Sequence, residues 1–478
     1  MSVSNDLGET PARHRWLVLA ICCTSLLVVS MDATIVNVAL PAIRTDLQAS
    51  ITELQWTVDA YTLVLACFLM LAGATGDRVG RRRTFQVGLA VFGAGSLLCS
   101  LAPSVGWLIA ARAVQGVGGT MLNPVAMSII TNVFTDPRER ARAIGVWGSV
   151  VGIALGLGPV LGGVLTEAVG WRAIFWVNVP VVLIAIVLTA RYVPESKAAH
   201  ARRPDPLGQV LVVLGLAALT TAVIEGPRLG WTSAAIVGLA VLAVVALTGL
   251  IVWERRRVEP LLELRFFGSV PFSSATVIAV CAFAAFGSFL FLSTLYLQEV
   301  RGLSALGAGL TLLPAAVTAT VCAPLSGRLV ATRGPRLSLV TAGVAMSSAV
   351  VVLALVGPGT PVWVLLAAYA VFGVGFGLVN PPITNTAVSG MPRSQAGVAA
   401  AVASTSRQVG STFGVAISGT VVAAAVGVQA GLTPAWWVVA AATAVVGILG
   451  IAATTVRARA TADRVADLFA EEPVPHRV

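Results

Sequence analysis

Residues 16–39 read WLVLAICCTSLLVVSMDATIVNVA, 24 residues with a single charge, Asp32. About 20 mostly apolar residues in helical form cross a bilayer core, whereas the core of a cleavable signal runs to about 7–15. This run is therefore a first membrane span. Working outward from it, cuts at the charged and Pro/Gly-rich breaks leave fourteen such runs, the last at 434–456. The fourth covers 107–131, the sixth 172–190, and the seventh and eighth 207–225 and 233–253. Barrel strands need only about 9–11 residues, and backbone groups in hydrocarbon must be satisfied within their own segment. The fold class is thus an all-α membrane protein with fourteen transmembrane helices.

Composition agrees. The chain is 57% hydrophobic and 11% charged, against about 45–50% and about 25% for soluble domains. Its formal charge of +10 would suggest a polyanionic partner, but the basic residues are sorted by loop. Of 31, 25 fall on the termini and every second loop, including Arg81 to Arg83, Arg202, Arg203, Arg393 and Arg477. Only 4 (Arg44, Arg172, Arg228, Arg301) fall on the opposite loops, and Arg112 and Arg407 lie within spans. That asymmetry places both termini in the cytoplasm and requires an even helix count. The basic excess is topology, which removes the case for nucleic-acid binding.

Several chemistries are excluded. The six cysteines sit in apolar runs without Cys-x-x-Cys spacing, and His14, His200 and His476 lie in polar segments, so no metal site is expected. No Gly-x-x-x-x-Gly-Lys-Ser/Thr or Gly-x-Gly-x-x-Gly occurs, so no nucleotide cofactor is expected and the energy source should be an ion gradient. Neither an intramembrane aspartyl protease pattern nor Gly-x-Ser-x-Gly is present, and no catalytic residue is assigned.

The chain repeats itself. Gly116-Val117-Gly118 with Asn123-Pro124 recurs as Gly373-Val374-Gly375 with Asn380-Pro381, and Gly73, Gly80 and Arg82 recur as Gly327, Gly334 and Arg336. These offsets, 257 and 254 residues, indicate a parallel duplication. The expected organisation is a tail (1–15), a six-helix bundle (16–190), a segment holding an inserted helix pair (191–271), a second six-helix bundle (272–456) and a tail (457–478). Two parallel halves around a midplane cavity is a transporter plan.

Ionisable residues within spans are functional candidates, since each costs about 2.5–3.5 kcal/mol to insert. Asp32, Asp59 and Arg112 fall at one depth on helices 1, 2 and 4, roughly 7–14 Å in by helical rise, and could form a single water-accessible site for proton coupling. Structural ion pairing is the competing reading. Arg407 lies mid-span in the polar string Ser404 to Gln408 of helix 13. Candidate cavity-lining residues are Asn37, Tyr61, Gln115, Asn380, Arg407 and Gln408.

In detail the chain resembles the major facilitator superfamily, in its fourteen-span drug:proton antiporter branch. GATGDRVGRRR (73–83) is similar to the superfamily's loop after helix 2, RAVQGVGG (112–119) to its helix 4 signature, and GPVLGG (158–163) to the antiporter signature of helix 5. MDATIVNVALP (31–41), WRAIFWVNVP (171–180) and SRQVG (406–410) resemble branch patterns of helices 1, 6 and 13. The resemblance implies proton coupling at Asp32 with Arg112 as its basic partner. It also implies a cytoplasmic gate formed by Gly73, Asp77, Arg78, Gly80, Arg81 and Arg82, and a bendable, tightly packed segment at Gly152, Gly156, Gly158, Pro159, Gly162 and Gly163. The second half departs from the pattern, with Ala331 in place of Asp77 and Tyr369 in place of Arg112. It also lacks the membrane acids with which some branch members hold cationic drugs, so a cavity-facing Arg407 favours a neutral, zwitterionic or anionic substrate. The expected activity is proton-driven export of small organic molecules by a monomer in a bacterial plasma membrane. The alternative is dedicated export of one endogenous metabolite, such as a self-made antibiotic or siderophore.

Overall fold

The computed structural model describes residues 12–198, 205–257, 260–389 and 395–470. Arg202, Arg203, Arg393, Arg477, His200, His476 and most of the 1–15 tail lie outside them. The described residues form helices and turns, with no strand. In chain order the helices are α1 (Ala12–Leu47), α2 (Ile51–Val79), α3 (Arg81–Ser100), α4 (Val105–Thr120), α5 (Asn123–Val133) and α6 (Pro137–Ala168). Next come α7 (Ala173–Trp176), α8 (Asn178–Tyr192), α9 (Pro206–Leu229), α10 (Ala234–Glu254) and α11 (Val270–Leu295), which runs into a π-helical turn (Tyr296–Val300). The last are α12 (Ala305–Arg333), α13 (Pro335–Ala354), α14 (Val362–Val388), α15 (Ala396–Ala423), α16 (Val428–Ala452) and α17 (Val456–Ala470).

Eleven of these segments are long and apolar enough to cross a membrane. α3 opens on three arginines, α4 stops after 16 residues, and α15 carries the polar string around Arg407. The unbroken fourth and sixth spans expected at 107–131 and 172–190 are each two helices. Proline lacks an N–H, and its ring crowds the carbonyl four residues back. Accordingly α4 ends at Thr120, four before Pro124, and α7 ends at Trp176, four before Pro180. Elsewhere the starts are capped: Ser50 Oγ accepts from Glu53 N and Glu53 Oε2 accepts from Ser50 N, a capping box that opens α2.

Close packing follows the glycine pattern and repeats with it. A Cβ on Gly116 would meet Tyr61 O and Val64, and one on Gly373 would meet Ala315 O and Thr318. Likewise Gly118 lies against Gly88 O and Phe92 N, and Gly375 against Ala342 O and Met346 N. The paired glycines lie 257 residues apart and the residues they meet 254. Gly80 (φ 132°) and Gly334 (φ 77°), also 254 apart, make the corresponding turns from α2 to α3 and from α12 to α13 in backbone conformations that side chains disfavour.

Two seams join residues 12–192 to residues 270–452. Along the first, α6 lies between α1 and α12: Gly158 and Gly162 meet Thr34 and Ile35, while Gly152, Gly156 and Gly163 meet Thr320, Ala316 and Leu306. Along the second, Gln55 Nε2 of α2 donates to Ala416 O of α15 at 2.8 Å, and Thr412 Oγ1 donates to Thr62 Oγ1 at 3.0 Å. α9 covers this second seam. Trp56 Nε1 donates to Glu225 Oε1, Thr420 Oγ1 to Val223 O, and Gln209 Nε2 to Cys67 O.

The 457–478 segment, read from sequence as a tail, begins as helix α17, because Ala458, Ala462 and Val465 recur on one face and bury it. There Phe469 packs on Phe266 and Thr461 Oγ1 accepts from Val270 N.

Candidate functional site

The deepest polar cluster is assembled from five helices. Arg112 of α4 points at α1, where its Nη1 donates to Asp32 Oδ2 at 2.5 Å, and it also donates to Gln115 Oε1 at 2.6 Å. Gln115 Nε2 donates to Asp32 Oδ1 (2.8 Å) and to Ser96 Oγ of α3 (2.7 Å), and Asn178 Nδ2 of α8 donates to Asp32 Oδ1 (3.0 Å). Arg112 Nε donates to Thr57 O of α2. The guanidinium lies 4.3 Å over the Tyr61 ring and 5.7 Å from the Phe175 ring. The carboxylate thus accepts three hydrogen bonds while the cation is held between two rings, the compensation that a buried ion pair requires. Asp32 and Arg112 are 0% and 1% exposed, so the site is sealed in this conformation.

Asp59 does not join it. Thr57 and Tyr61, four apart, form the face of α2 that meets Arg112, and Asp59 falls roughly 200° round the helix from Thr57. Its Oδ1 accepts only a long bond from Thr62 Oγ1 (3.4 Å), and its Oδ2 has no hydrogen-bond partner among the described residues. Asp59 therefore sits at the α2–α15 seam, beside the Thr62–Thr412 bond. Equal depth was legible in the sequence; azimuth decides which charges meet.

The cavity-lining candidates separate in the same way. Tyr61 and Gln115 are fully buried in the Arg112 cluster, and Asn37 is buried with its Nδ2 bonded to Ala33 O. Asn380, Arg407 and Gln408 are half-buried. Arg407 donates to Thr384 Oγ1 (2.5 Å) and Ser404 Oγ (3.4 Å), with its guanidinium 5.8 Å from the Phe283 ring and its Nε unbonded.

At the end of the bundle bearing Arg81 to Arg83, here termed the basic end, Asp77 pairs with Arg81 one turn away (2.8 Å), Arg78 is exposed and Gly73 rests on Pro124. The segment after α8 docks on this loop. Glu195 Oε1 accepts from Arg82 N at the start of α3, Arg81 N donates to Ser196 O, and Ala198 N donates to Asp77 O. A carboxylate at a helix N-terminus is favourably placed. Sequence reading missed Glu195, Ser96 and Asn178; the last two stand out only as polar residues inside apolar runs.

The two ends differ. Opposite the basic end, Arg44 pairs with Glu299, Gln298 Nε2 donates to Val38 O, and Glu167 accepts from Leu306 N. Toward the basic end the α6–α12 seam stops at Gly152 and Thr320. A Cβ on Gly148 or Gly327, on the same faces one and two turns further on, would meet no other element within 4 Å. Contacts thus close the end opposite the basic end, while a Cβ on either of these two glycines toward the basic end would meet nothing.

A family model described as Major Facilitator Superfamily matches residues 22–415. The chain is 37% identical over 413 residues to the multidrug resistance protein Stp of Mycobacterium tuberculosis, covering 86% of this chain and 76% of that one. It is 36% identical over 403 residues to the methylenomycin A resistance protein of Streptomyces coelicolor (83% and 84%). With the multidrug efflux pump LfrA of Mycolicibacterium smegmatis it shares 35% over 457 residues (95% and 90%).

Proposed function

The chain belongs to the major facilitator superfamily, and from that membership we propose that it is a proton-coupled antiporter that exports small organic molecules by alternating access. It is a multi-pass plasma-membrane transporter and not an enzyme, and its relatives are bacterial drug and antibiotic resistance efflux pumps.

The finer reading is ours. Fourteen spans arise when α3, the broken pair α4 and α5, and α15 are counted with the eleven, and the repeated glycine contacts support two six-helix halves, 16–190 and 272–456. The basic residues set the basic end, and both termini, in the cytoplasm. The conformation described then faces the cytoplasm, and Gly152 to Gly163 form the packed seam on which one half rocks against the other.

The Asp32–Arg112 pair carries the proton reading. A proton on Asp32 cancels the charge that holds Arg112, and burial makes that change consequential. In a cytoplasm-facing state with the pair closed, the carboxylate is charged and its proton has left; in the opposite state, a proton from outside opens the pair. A monomer holds every group required. Accumulation of substrate in inside-out proteoliposomes under an imposed pH gradient, abolished by a protonophore, tests this; accumulation that the protonophore leaves unchanged excludes it.

Dedicated export of one metabolite is the second reading, favoured by a relative whose name carries a single antibiotic. Changed susceptibility to one compound in a dye and antibiotic panel supports it, and changes across unrelated compounds support broad efflux.

A further inference from the structure

The charge cluster has a counterpart of opposite chemistry. Arg112 and Gln115 are matched 257 residues on by Tyr369 and Phe372, and Phe289 of α11 meets both as Asp32 of α1 meets Arg112 and Gln115. Phe289 stacks on Phe372 at 4.2 Å and meets Tyr369 edge-on at 5.1 Å. One turn away Phe286 stacks on Phe376 at 4.3 Å, and Phe376 meets Phe283 at 5.2 Å. Phe286, Phe289, Phe372 and Phe376 line a small apolar pocket, closed across the first seam by Leu155 and Pro159 of α6. Where the N-terminal half handles charge, the C-terminal half presents ring faces.

Arg407 ends this column. α14 runs toward the basic end, so Phe372, Phe376 and Thr384 descend in that order, and Arg407 bonds to Thr384. It lies on the cytoplasmic side of the rings; among the described residues its guanidinium donates to two hydroxyls and lies 5.8 Å from the Phe283 ring, with Nε unbonded. No Asp or Glu occurs between Glu299 and Asp463, so nothing within the spans of that half neutralises it. Asp32 is committed to Arg112, Gln115 and Asn178, and Asp59 faces Thr62.

We propose that this column is the substrate site and that it selects flat aromatic molecules carrying a carboxylate or another anionic group, the rings stacking among the phenylalanines and the anion resting on Arg407. The inference rests on the export reading and names its substrate class. Guanidinium and carboxylate match in shape and in hydrogen bonding. A flat cation gains the same stacking but brings its charge to an arginine with no acid to offset it, and a desolvated like-charge contact discriminates strongly.

Counterflow tests this with the full chain in proteoliposomes and no pH gradient, comparing exchange of labelled fluorescein, a planar anion, with labelled ethidium, a planar cation. Fluorescein exchange should exceed ethidium exchange by about tenfold or more. Arg407→Gln should remove that preference, Arg407→Lys should keep part of it, and Phe376→Ala should slow both dyes. Ethidium exchanging as fast as fluorescein, a folded Arg407→Gln protein with an unchanged ratio, or exchange of neither dye overturns the assignment. If Arg407→Gln does not fold, the wild-type ratio and Arg407→Lys still decide. With no gradient applied, a failure of proton coupling leaves this readout untouched, and the export reading fails separately if no compound in the susceptibility panel is affected.

Discussion

Asp32 on α1 and Arg112 on α4 meet at 2.5 Å with almost no exposure, held by amides from α4 and α8. Removing one member strands the other in a medium that cannot solvate it. Arg112→Ala should therefore cost about 3–5 kcal/mol of stability, while Arg112→Lys, which keeps the charge but loses the bond from Nε to Thr57 O, should fall between. Asp32→Asn with Arg112→Gln removes both charges and should melt higher than Arg112→Ala alone. Melting in detergent reads all three, and a double variant no more stable than Arg112→Ala would remove the charge argument.

At the loop between α2 and α3, Gly80 has φ 132°, and a Cβ there would sit 2.7 Å from the Glu195 carboxylate. Gly80→Ala should cost about 1–3 kcal/mol and cut transport. Adding Glu195→Ala relieves the clash but leaves the backbone strain, so it should restore little. Full recovery in the double variant would show the clash alone to matter.

The packing glycines separate sharply. Gly118→Ala and Gly375→Ala drive a methyl into the backbones of α3 and α13 and should each destabilise by about 1–3 kcal/mol. Gly148→Ala and Gly327→Ala meet nothing and should stay within about 0.5 kcal/mol. Equal melting temperatures across the four would contradict the glycine packing as described.

The Arg44–Glu299 pair joins α1 to the π-helical turn after α11 at the closed end, with side chains 35% and 20% exposed. Partial exposure limits its worth to about 1 kcal/mol or less, up to about fivefold in population. Glu299→Arg should lower the labelling of Gly148→Cys by a water-soluble maleimide from the cytoplasmic side, and adding Arg44→Glu should restore it. Unchanged labelling in both would detach this pair from the opening of the other end.

Membrane residence and the short list of charges within apolar runs were legible because hydropathy is a one-dimensional signal. Pro124 and Pro180 also carried the breaks at Thr120 and Trp176, although hydropathy alone ran across them. Azimuth was not legible. Asp59 and Arg112 share a depth, yet Asp59 turns to α15 while Thr57 and Tyr61 take the Arg112 side. Ser96 and Asn178 were missed because neutral polar groups in a span cost less than charges and leave a weaker mark. Glu195 sits in an ordinary polar linker, and only the docking of that linker on the start of α3 gives it a partner.

Proton coupling at Asp32 is tested most directly by comparing two modes of transport in Asp32→Asn proteoliposomes: uphill accumulation driven by a pH gradient, and counterflow without one. The buried pair predicts that uphill accumulation is lost while counterflow persists, since substrate can still cross when the proton site is neutralised. Uphill accumulation equal to wild type in a folded Asp32→Asn protein would contradict it.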